Sequence, residues 1–163
     1  MGLSETESKA GFAALSSAAL PDGFSLTLFP DAEAALADLQ VLRARGLRAA
    51  LVTRGFAGFQ KAKVANLSIE GSFDAFSIDA IDEVDGPRFH EILRRLPNDW
   101  NCTARELLVV DDDERKLDDA ARLGMNPILI DRSAGGAGAA PTRLVVKDLR
   151  EITHALLEDS PPR

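Results

Sequence analysis

The pattern of apolar and polar positions along the chain predicts β-strands that alternate with α-helices. It is clearest in residues 107–131, which open with four apolar residues, 107–110, without polar alternation. Such a run is typical of a strand buried on both faces of a parallel sheet. Three aspartates follow, then a helical pattern that ends at Gly124, and then a second apolar strand at residues 127–130.

The rest of the chain shows the same alternation. Because strand–helix–strand connections are right-handed and put helices on both faces of a sheet, the pattern predicts an α/β fold. The expected architecture is a three-layer, doubly wound parallel sheet of five main strands in the order 3-2-1-4-5. The other strands are predicted at residues 24–29, 47–53 and 73–78, with a short apolar run at residues 144–146. The other helices are predicted at residues 10–20, 30–45, 56–67, 87–96 and 149–157.

The length favours a single domain that spans residues 1–163, because a chain of this size can bury one sizeable core. Residues 1–23 form its N-terminal helix and turn in this prediction. The Gly- and Ala-rich residues 133–141 predict a flexible loop, and residues 159–163 predict a disordered tail.

Charge and cysteine content narrow the class of protein. The net charge of −7 argues against nucleic acid and anionic membranes as partners. The single cysteine, Cys102, excludes an internal disulfide and suits a reducing compartment. No apolar run approaches the length of a membrane span, and the first residues lack the basic-then-apolar pattern of a signal peptide. We therefore expect a cytoplasmic protein.

Polar side chains at the ends of the predicted strands are the candidates for chemistry. The strand order would bring Asp31 and Asp111 to the same crevice, where open α/β sheets bind ligands. Asp111 and Asp112 could hold Mg²⁺, although aspartates after a strand also cap the next helix, as we expect of Asp113. Thr53 could donate a hydrogen bond to a phosphate or cap a helix. Its neighbour Arg54 could bind an anion or point into solvent. These alternatives remain open.

At these residues the sequence resembles the haloacid dehalogenase superfamily, whose commonest members are magnesium-dependent phosphatases. Residues 51–55 are similar to the family's second motif, in which a strand-end Thr or Ser, here Thr53, contacts the phosphoryl group. Residues 109–125 resemble its fourth motif, in which paired acids, here Asp111 and Asp112, hold magnesium. The resemblance covers residues 29–131 and implies a haloacid dehalogenase-like domain without a cap domain.

Two of the family's motifs are missing. The first motif is a strand that ends in Asp-x-Asp, and here Pro30 stands in place of the nucleophile, with Asp31 one residue out of phase. The third motif is a Lys just before a helix, and this chain has Asp85-Gly86 there. Lys116 also stands where many members carry a further acid. The catalytic site is therefore expected to be incomplete.

The resemblance also bears on the N-terminal part of the chain. The family usually carries a cap domain after its first motif, and residues 10–20 could be a remnant of the last cap helix. The sheet would then lack its middle strand, which leaves backbone groups unpaired. We therefore predict that residues 24–29 take the central position.

Three functions remain open on the sequence alone. The first is a non-catalytic module that binds a small phosphorylated ligand or a protein partner, with self-association possible through residues 10–20. The second is a Mg²⁺-dependent phosphomonoester hydrolase whose nucleophile is Asp31 or a residue of another chain. The third is a receiver-like signalling domain that accepts a phosphoryl group on Asp79, at the end of the predicted third strand.

Overall fold

The structure, a computed structural model, describes residues 25–133 and 143–159. The predicted helix at residues 10–20, nearly all of the predicted loop and the last four residues lie outside this part of the chain. The elements alternate as the sequence predicted. The strands are β1 (Ala50–Gly55), β2 (Ala75–Ala80), β3 (Leu108–Asp111), β4 (Asn126–Ile130) and β5 (Leu144–Val146). The helices are α1 (Pro30–Ala44), α2 (Ala57–Asn66), α3 (Phe89–Trp100), α4 (Glu114–Arg122) and α5 (Leu149–Asp159).

The chain divides into two compact units, and the first contains residues 50–89 together with residues 25–28. Its sheet consists of β1 and β2, which run parallel, with Thr53 opposite Ile78. The crossover between them is helix α2, which buries Val64. This is the strand–helix–strand unit that the apolar pattern predicted for this part of the chain.

The second unit contains residues 29–49, 90–133 and 143–159. Its three strands are parallel in the order β3-β4-β5. Helix α4 connects β3 to β4 and buries Leu117 and Ala120 completely. Ile128, Ile130 and Val146 form a core against Val110, Leu149 and Ile152, so β4 and β5 are held by apolar packing as well as by backbone pairing.

Helix α1 begins and ends where the sequence predicted. Pro30 occupies its first turn, where the missing N–H costs nothing, and Asp31 and Glu33 lie at its positive end. After the helix, Gly46 adopts a φ of +102°, a left-handed conformation that favours glycine over residues with a Cβ.

The predicted central strand at residues 24–29 is wrong, since residues 25–29 form no strand. The carbonyl of Phe29 instead accepts hydrogen bonds from the amides of Ala32 and Glu33, which closes the first turn of α1. Pro30 has no N–H to give to a ladder. The start of the helix therefore competes with strand pairing at this point. Two neighbouring pairs of the predicted order are confirmed. The predicted strands 2 and 3 pair as β1 and β2, and the predicted strands 4 and 5 pair as β3 and β4. In the part of the chain that the structure describes, residues 25–29 pair with neither neighbour of the predicted order.

Candidate functional site

Asp111 ends β3 and carries the first group of candidate side chains, all in the second unit. The Lys116 Nζ atom donates to both oxygens of the Asp111 carboxylate, at 3.1 Å from Oδ1 and 2.9 Å from Oδ2. The amide of Asp113 also donates to Oδ1 at 2.9 Å. The side chain of Asp111 is 13% exposed and that of Lys116 is 22% exposed. The carboxylate is therefore neutralised inside the protein.

The start of helix α4 explains this geometry. Asp113 is the N-cap residue, and its carboxylate accepts a hydrogen bond from the amide of Arg115 at 3.0 Å, as the sequence predicted for a cap. The Arg115 side chain hydrogen-bonds the same carboxyl and is the main reason that the pKa of Asp113 lies below its ordinary value. Lys116 follows in the first turn of the helix, from which its side chain reaches back to the strand end. Asp112 is exposed.

These residues do not fit a magnesium ion. Mg²⁺ demands carboxylate and water oxygens in a near-octahedral shell. Both oxygens of Asp111 are already bonded to an ammonium, and the carboxylate of Asp113 is bonded to Arg115. Within residues 25–133 and 143–159, no three His, Cys, Asp or Glu side chains are grouped so that they could hold a metal. Of the predicted pair of ligands, Asp111 is therefore engaged by Lys116, and Asp112 lies exposed beside it.

Asp31, the candidate nucleophile, lies in the first turn of α1. The Arg132 guanidinium donates to its carboxylate from Nη2 at 2.7 Å and from Nε at 3.1 Å and 3.2 Å. The amide of Leu149, the first residue of α5, donates to Oδ2 at 3.2 Å. The bonds from Arg132 hold the pKa of Asp31 below its ordinary value against the opposing effect of burial, and the Leu149 amide adds to them. Asp31 therefore joins α1, the end of β4 and the start of α5.

Thr53 belongs to the first unit, near the end of β1. Its hydroxyl donates to the side-chain carbonyl of Gln60 in α2, at 2.8 Å. Gln60 is buried. Gly55 leaves room for this contact, because a Cβ at that position would lie 2.4 Å from Gln60 Nε2. The Thr53 hydroxyl thus holds α2 against β1.

Arg54 lies directly opposite Asp79 in the register of β1 and β2. Its Nε is 3.5 Å from Oδ2 of Asp79, and Nη1 of Arg88 is 3.5 Å from Oδ1. Asp79 is 5% exposed, whereas the Arg54 side chain is 60% exposed. Two cations therefore flank a buried carboxylate at the carboxyl end of these strands.

The structural role of Arg88 was not predicted. Its guanidinium donates to the carbonyls of Ala80 at 2.8 Å, Glu83 at 3.2 Å and Val84 at 3.3 Å, and so closes the loop after β2. The sequence contains a signal for this role. The third motif of the resembling family has a basic residue before Pro87, and this chain has its basic residue, Arg88, directly after Pro87.

The N-terminus of α2 also carries a contact that sequence reasoning missed. Oδ1 of Asp82 accepts a hydrogen bond from the amide of Ala57, the first residue of the helix, at 2.9 Å. Helix N-termini are favourable places for phosphate, because their amides point outward and the helix dipole attracts anions. Here the Asp82 carboxylate accepts the hydrogen bond from one of those amides.

Comparison with known proteins identifies the fold. No family model matches the sequence, and no curated protein matches it either. Among solved structures, L-2-haloacid dehalogenase from Xanthobacter autotrophicus, with chloropropionic acid covalently bound, matches with a TM-score of 0.66 at 19% identity. That match covers 96% of this chain and 68% of the dehalogenase. The chain has the haloacid dehalogenase-like fold.

Two further structures show the range of proteins that share this fold. A haloacid dehalogenase-like hydrolase from Xanthomonas campestris matches with a TM-score of 0.59 at 15% identity, over 81% of this chain and 51% of that one. The D,D-heptose 1,7-bisphosphate phosphatase from B. bronchiseptica, in complex with magnesium and phosphate, matches with a TM-score of 0.59 at 17% identity, over 88% of this chain and 94% of the phosphatase. The chain spans between about half and two thirds of the length of several of these dehalogenase-like proteins.

Within the described part of the chain, no helix is both long and apolar enough to cross a lipid bilayer.

Proposed function

We propose that this chain is a non-catalytic binding module built on the haloacid dehalogenase-like fold. One observation carries the proposal. The Lys116 ammonium donates hydrogen bonds to both oxygens of Asp111, the acid at the end of β3 in the segment that resembles the fourth motif. An acid that is neutralised in this way is not available to hold the cation that phosphoryl transfer requires.

The contacts of Asp31 support the same proposal. A carboxylate nucleophile needs an oxygen lone pair directed at the phosphorus atom. The two oxygens of Asp31 accept four hydrogen bonds, three from Arg132 and one from Leu149. The phosphohydrolase alternative would require Asp31 to leave these donors, and α1 and α5 would lose one of the hydrogen bonds that connect them. We therefore favour a structural role for this residue.

The receiver-like alternative has less support. A phospho-acceptor must be reached by a phosphoryl donor, and Asp79 is buried between Arg54 and Arg88. Burial of this carboxylate leaves little access for a phosphoryl donor, and its contacts suit an anchor for two arginine side chains.

A small phosphorylated ligand is the partner that Arg54 could bind. Its side chain is largely exposed at the carboxyl end of β1, the position at which α/β sheets bind ligands. Thr53 would contribute only if its hydroxyl turned away from Gln60, because a phosphate requires a donor. Arg54 is therefore the stronger of the two candidates for binding a phosphate.

A phosphatase assay tests the absence of catalysis. Wild-type protein is incubated with a generic phosphomonoester in magnesium buffer and then in EDTA, beside Asp31→Asn. We expect the same background rate in all samples. Turnover by the wild type that disappears in Asp31→Asn would overturn the proposal, provided that circular dichroism shows the variant to be folded.

Calorimetry with inorganic phosphate tests the ligand. We expect saturable heat with the wild type, loss of that heat in Arg54→Ala and retention of it in Arg122→Ala. Arg122→Ala is a matched control, because this substitution also removes one positive charge and the Arg122 side chain is 74% exposed on α4. If phosphate does not bind, the partner is to be sought among proteins. Self-association through residues 10–20 is then tested by light scattering on the full chain and on a chain without residues 1–23.

A further inference from the structure

We infer that the ammonium of Lys116 stands where a divalent cation would bind Asp111, so that the end of β3 carries a built-in cation and takes no metal. The inference holds whether or not the chain has catalytic activity. It concerns one side chain and one carboxylate, and its test therefore measures metal binding rather than turnover.

The positions of the atoms support this assignment. Nζ of Lys116 lies at nearly equal distances, 3.1 Å and 2.9 Å, from the two oxygens of Asp111. It thus occupies the face of the carboxylate between its two oxygens, where a bidentate cation would lie. A lysine ammonium is a compact point charge with three donors, and it can therefore neutralise a carboxylate much as a small ion does. A magnesium ion placed on the same oxygens would meet a positive charge in contact with its own ligands.

The surroundings fix both partners. The amide of Asp113 holds Oδ1 of Asp111 from the backbone, and Lys116 starts from the first turn of a helix whose N-cap is satisfied. Both side chains are mostly shielded from water. Exposed pairs of opposite charge fluctuate and are screened by salt, whereas a shielded pair with additional hydrogen bonds persists. The ammonium is therefore held at this strand end by its contacts with both oxygens of Asp111.

The neighbouring acids are poor replacements for Asp111 as a ligand. Asp113 is engaged by Arg115 through both backbone and side chain, and Asp112 is exposed, so that it would offer a single carboxylate in open solvent. The presence of Lys116 at this one position thus accounts for the absence of a metal site at the end of β3. Replacement of Lys116 by an acid would remove the competing charge and supply a second carboxylate, and magnesium sites commonly use one or two carboxylates together with water.

Calorimetry with magnesium chloride tests the inference on the full chain. The samples are the wild type, Lys116→Asp and, as a matched control, Arg115→Asp, which makes the same change in charge one residue away but beside Asp113 rather than Asp111. We expect no saturable heat with the wild type or with Arg115→Asp. Lys116→Asp should bind magnesium at least tenfold more tightly than Arg115→Asp and should melt at a higher temperature in magnesium than in EDTA.

Each of three results would overturn the inference. The first is magnesium binding by the wild type that disappears in Asp111→Ala. The second is a folded Lys116→Asp that binds no magnesium, since Lys116 would then not be what excludes the metal. The third is equal binding by Lys116→Asp and Arg115→Asp, which would indicate a response to net charge.

A measurement on the wild type alone decides the matter if Lys116→Asp fails to fold. Mn²⁺ is added during amide NMR, because a paramagnetic ion bound at Asp111 would broaden the amide signals of residues 111–113 selectively. We expect no selective broadening, and its appearance would overturn the inference. Phosphatase turnover in metal-free buffer would contradict the proposed function and leave this inference standing, so the two failures are distinguishable.

Discussion

Arg132 donates from both Nε and Nη2 to the carboxylate of Asp31, a residue that lies 101 positions earlier in the chain. The same guanidinium lies over the ring of Phe29, with its Cζ atom 4.7 Å from the ring centroid. A charged pair with fork-like geometry is among the stronger hydrogen-bonding arrangements in proteins. Because Asp31 also binds the first amide of α5, this one carboxylate stabilises the packing of α1 beside α5.

Asp31→Asn should therefore lower the free energy of unfolding, because it removes the charge from a mostly buried acceptor of four hydrogen bonds. We expect a loss of about 1–3 kcal/mol, the usual effect of breaking hydrogen bonds to a charged group. Chemical denaturation followed by circular dichroism measures it. Asp119→Asn is the control, since its partner Arg122 is exposed and surface pairs contribute about 0–1 kcal/mol. Equal losses in both variants would contradict the structural role of Asp31.

The pKa of Asp31 also predicts how stability depends on pH. Because Arg132 holds this pKa below the ordinary value of 3.8 in the folded protein, the unfolded chain binds the proton more readily. The contribution of Asp31 is thus complete above pH 3.8 and is lost as the pH falls through the lower, folded-state pKa. Urea midpoints of wild type and Asp31→Asn should therefore converge as the solution becomes more acidic. A constant difference between the two would show that Asp31 titrates normally.

Local signals were enough to predict most of the helices and strands. Helix α1 follows from Pro30, the acids in its first turn and Gly46, all of which act on the backbone within a few residues. Strand β3 follows from its apolar run. Residues 24–29 carry a strand-like alternation, but the helix start at Pro30 uses the carbonyl of Phe29, and this local competition decided against a strand.

The roles of the site residues were harder to predict, because they depend on partners that are distant in sequence or on side-chain direction. Nothing near Asp31 indicates Arg132. The departure of Lys116 from the acid of the fourth motif was visible in the sequence, but its contact with Asp111 depends on how the helix start turns the side chain. The structure supplies that direction.

Gly55→Ala should destabilise the first unit. Gly55 has a φ of +150°, and a Cβ there would lie 2.4 Å from Nε2 of Gln60, so Gln60 must move and Thr53 loses its acceptor. We expect a loss of about 1–3 kcal/mol, typical of residues forced into such backbone conformations. Thermal unfolding measures it. Gly71→Ala is the matched control, because a Cβ at that position meets no atom within 4 Å. A similar loss in Gly71→Ala would indicate a general effect of the added methyl group.

Arg88→Met should loosen the loop after β2 and leave the buried Asp79 with one cation fewer. The guanidinium of Arg88 serves three carbonyls as well as Asp79, whereas methionine replaces only its apolar length. Because Asp79 keeps Arg54 and the Arg88 side chain is 41% exposed, we expect a loss of about 1–3 kcal/mol, typical of a buried polar group that loses one partner.

Two measurements distinguish this effect from a simple loss of packing. Amide hydrogen exchange should accelerate in residues 80–84 more than in β1, since these residues include the carbonyls that Arg88 bonds. The double variant Asp79→Asn with Arg88→Met should be more stable than Arg88→Met alone, because the neutral amide no longer requires a counter-ion. If the second substitution brings no recovery, Arg88 stabilises the loop through its carbonyl contacts and not through the charge of Asp79.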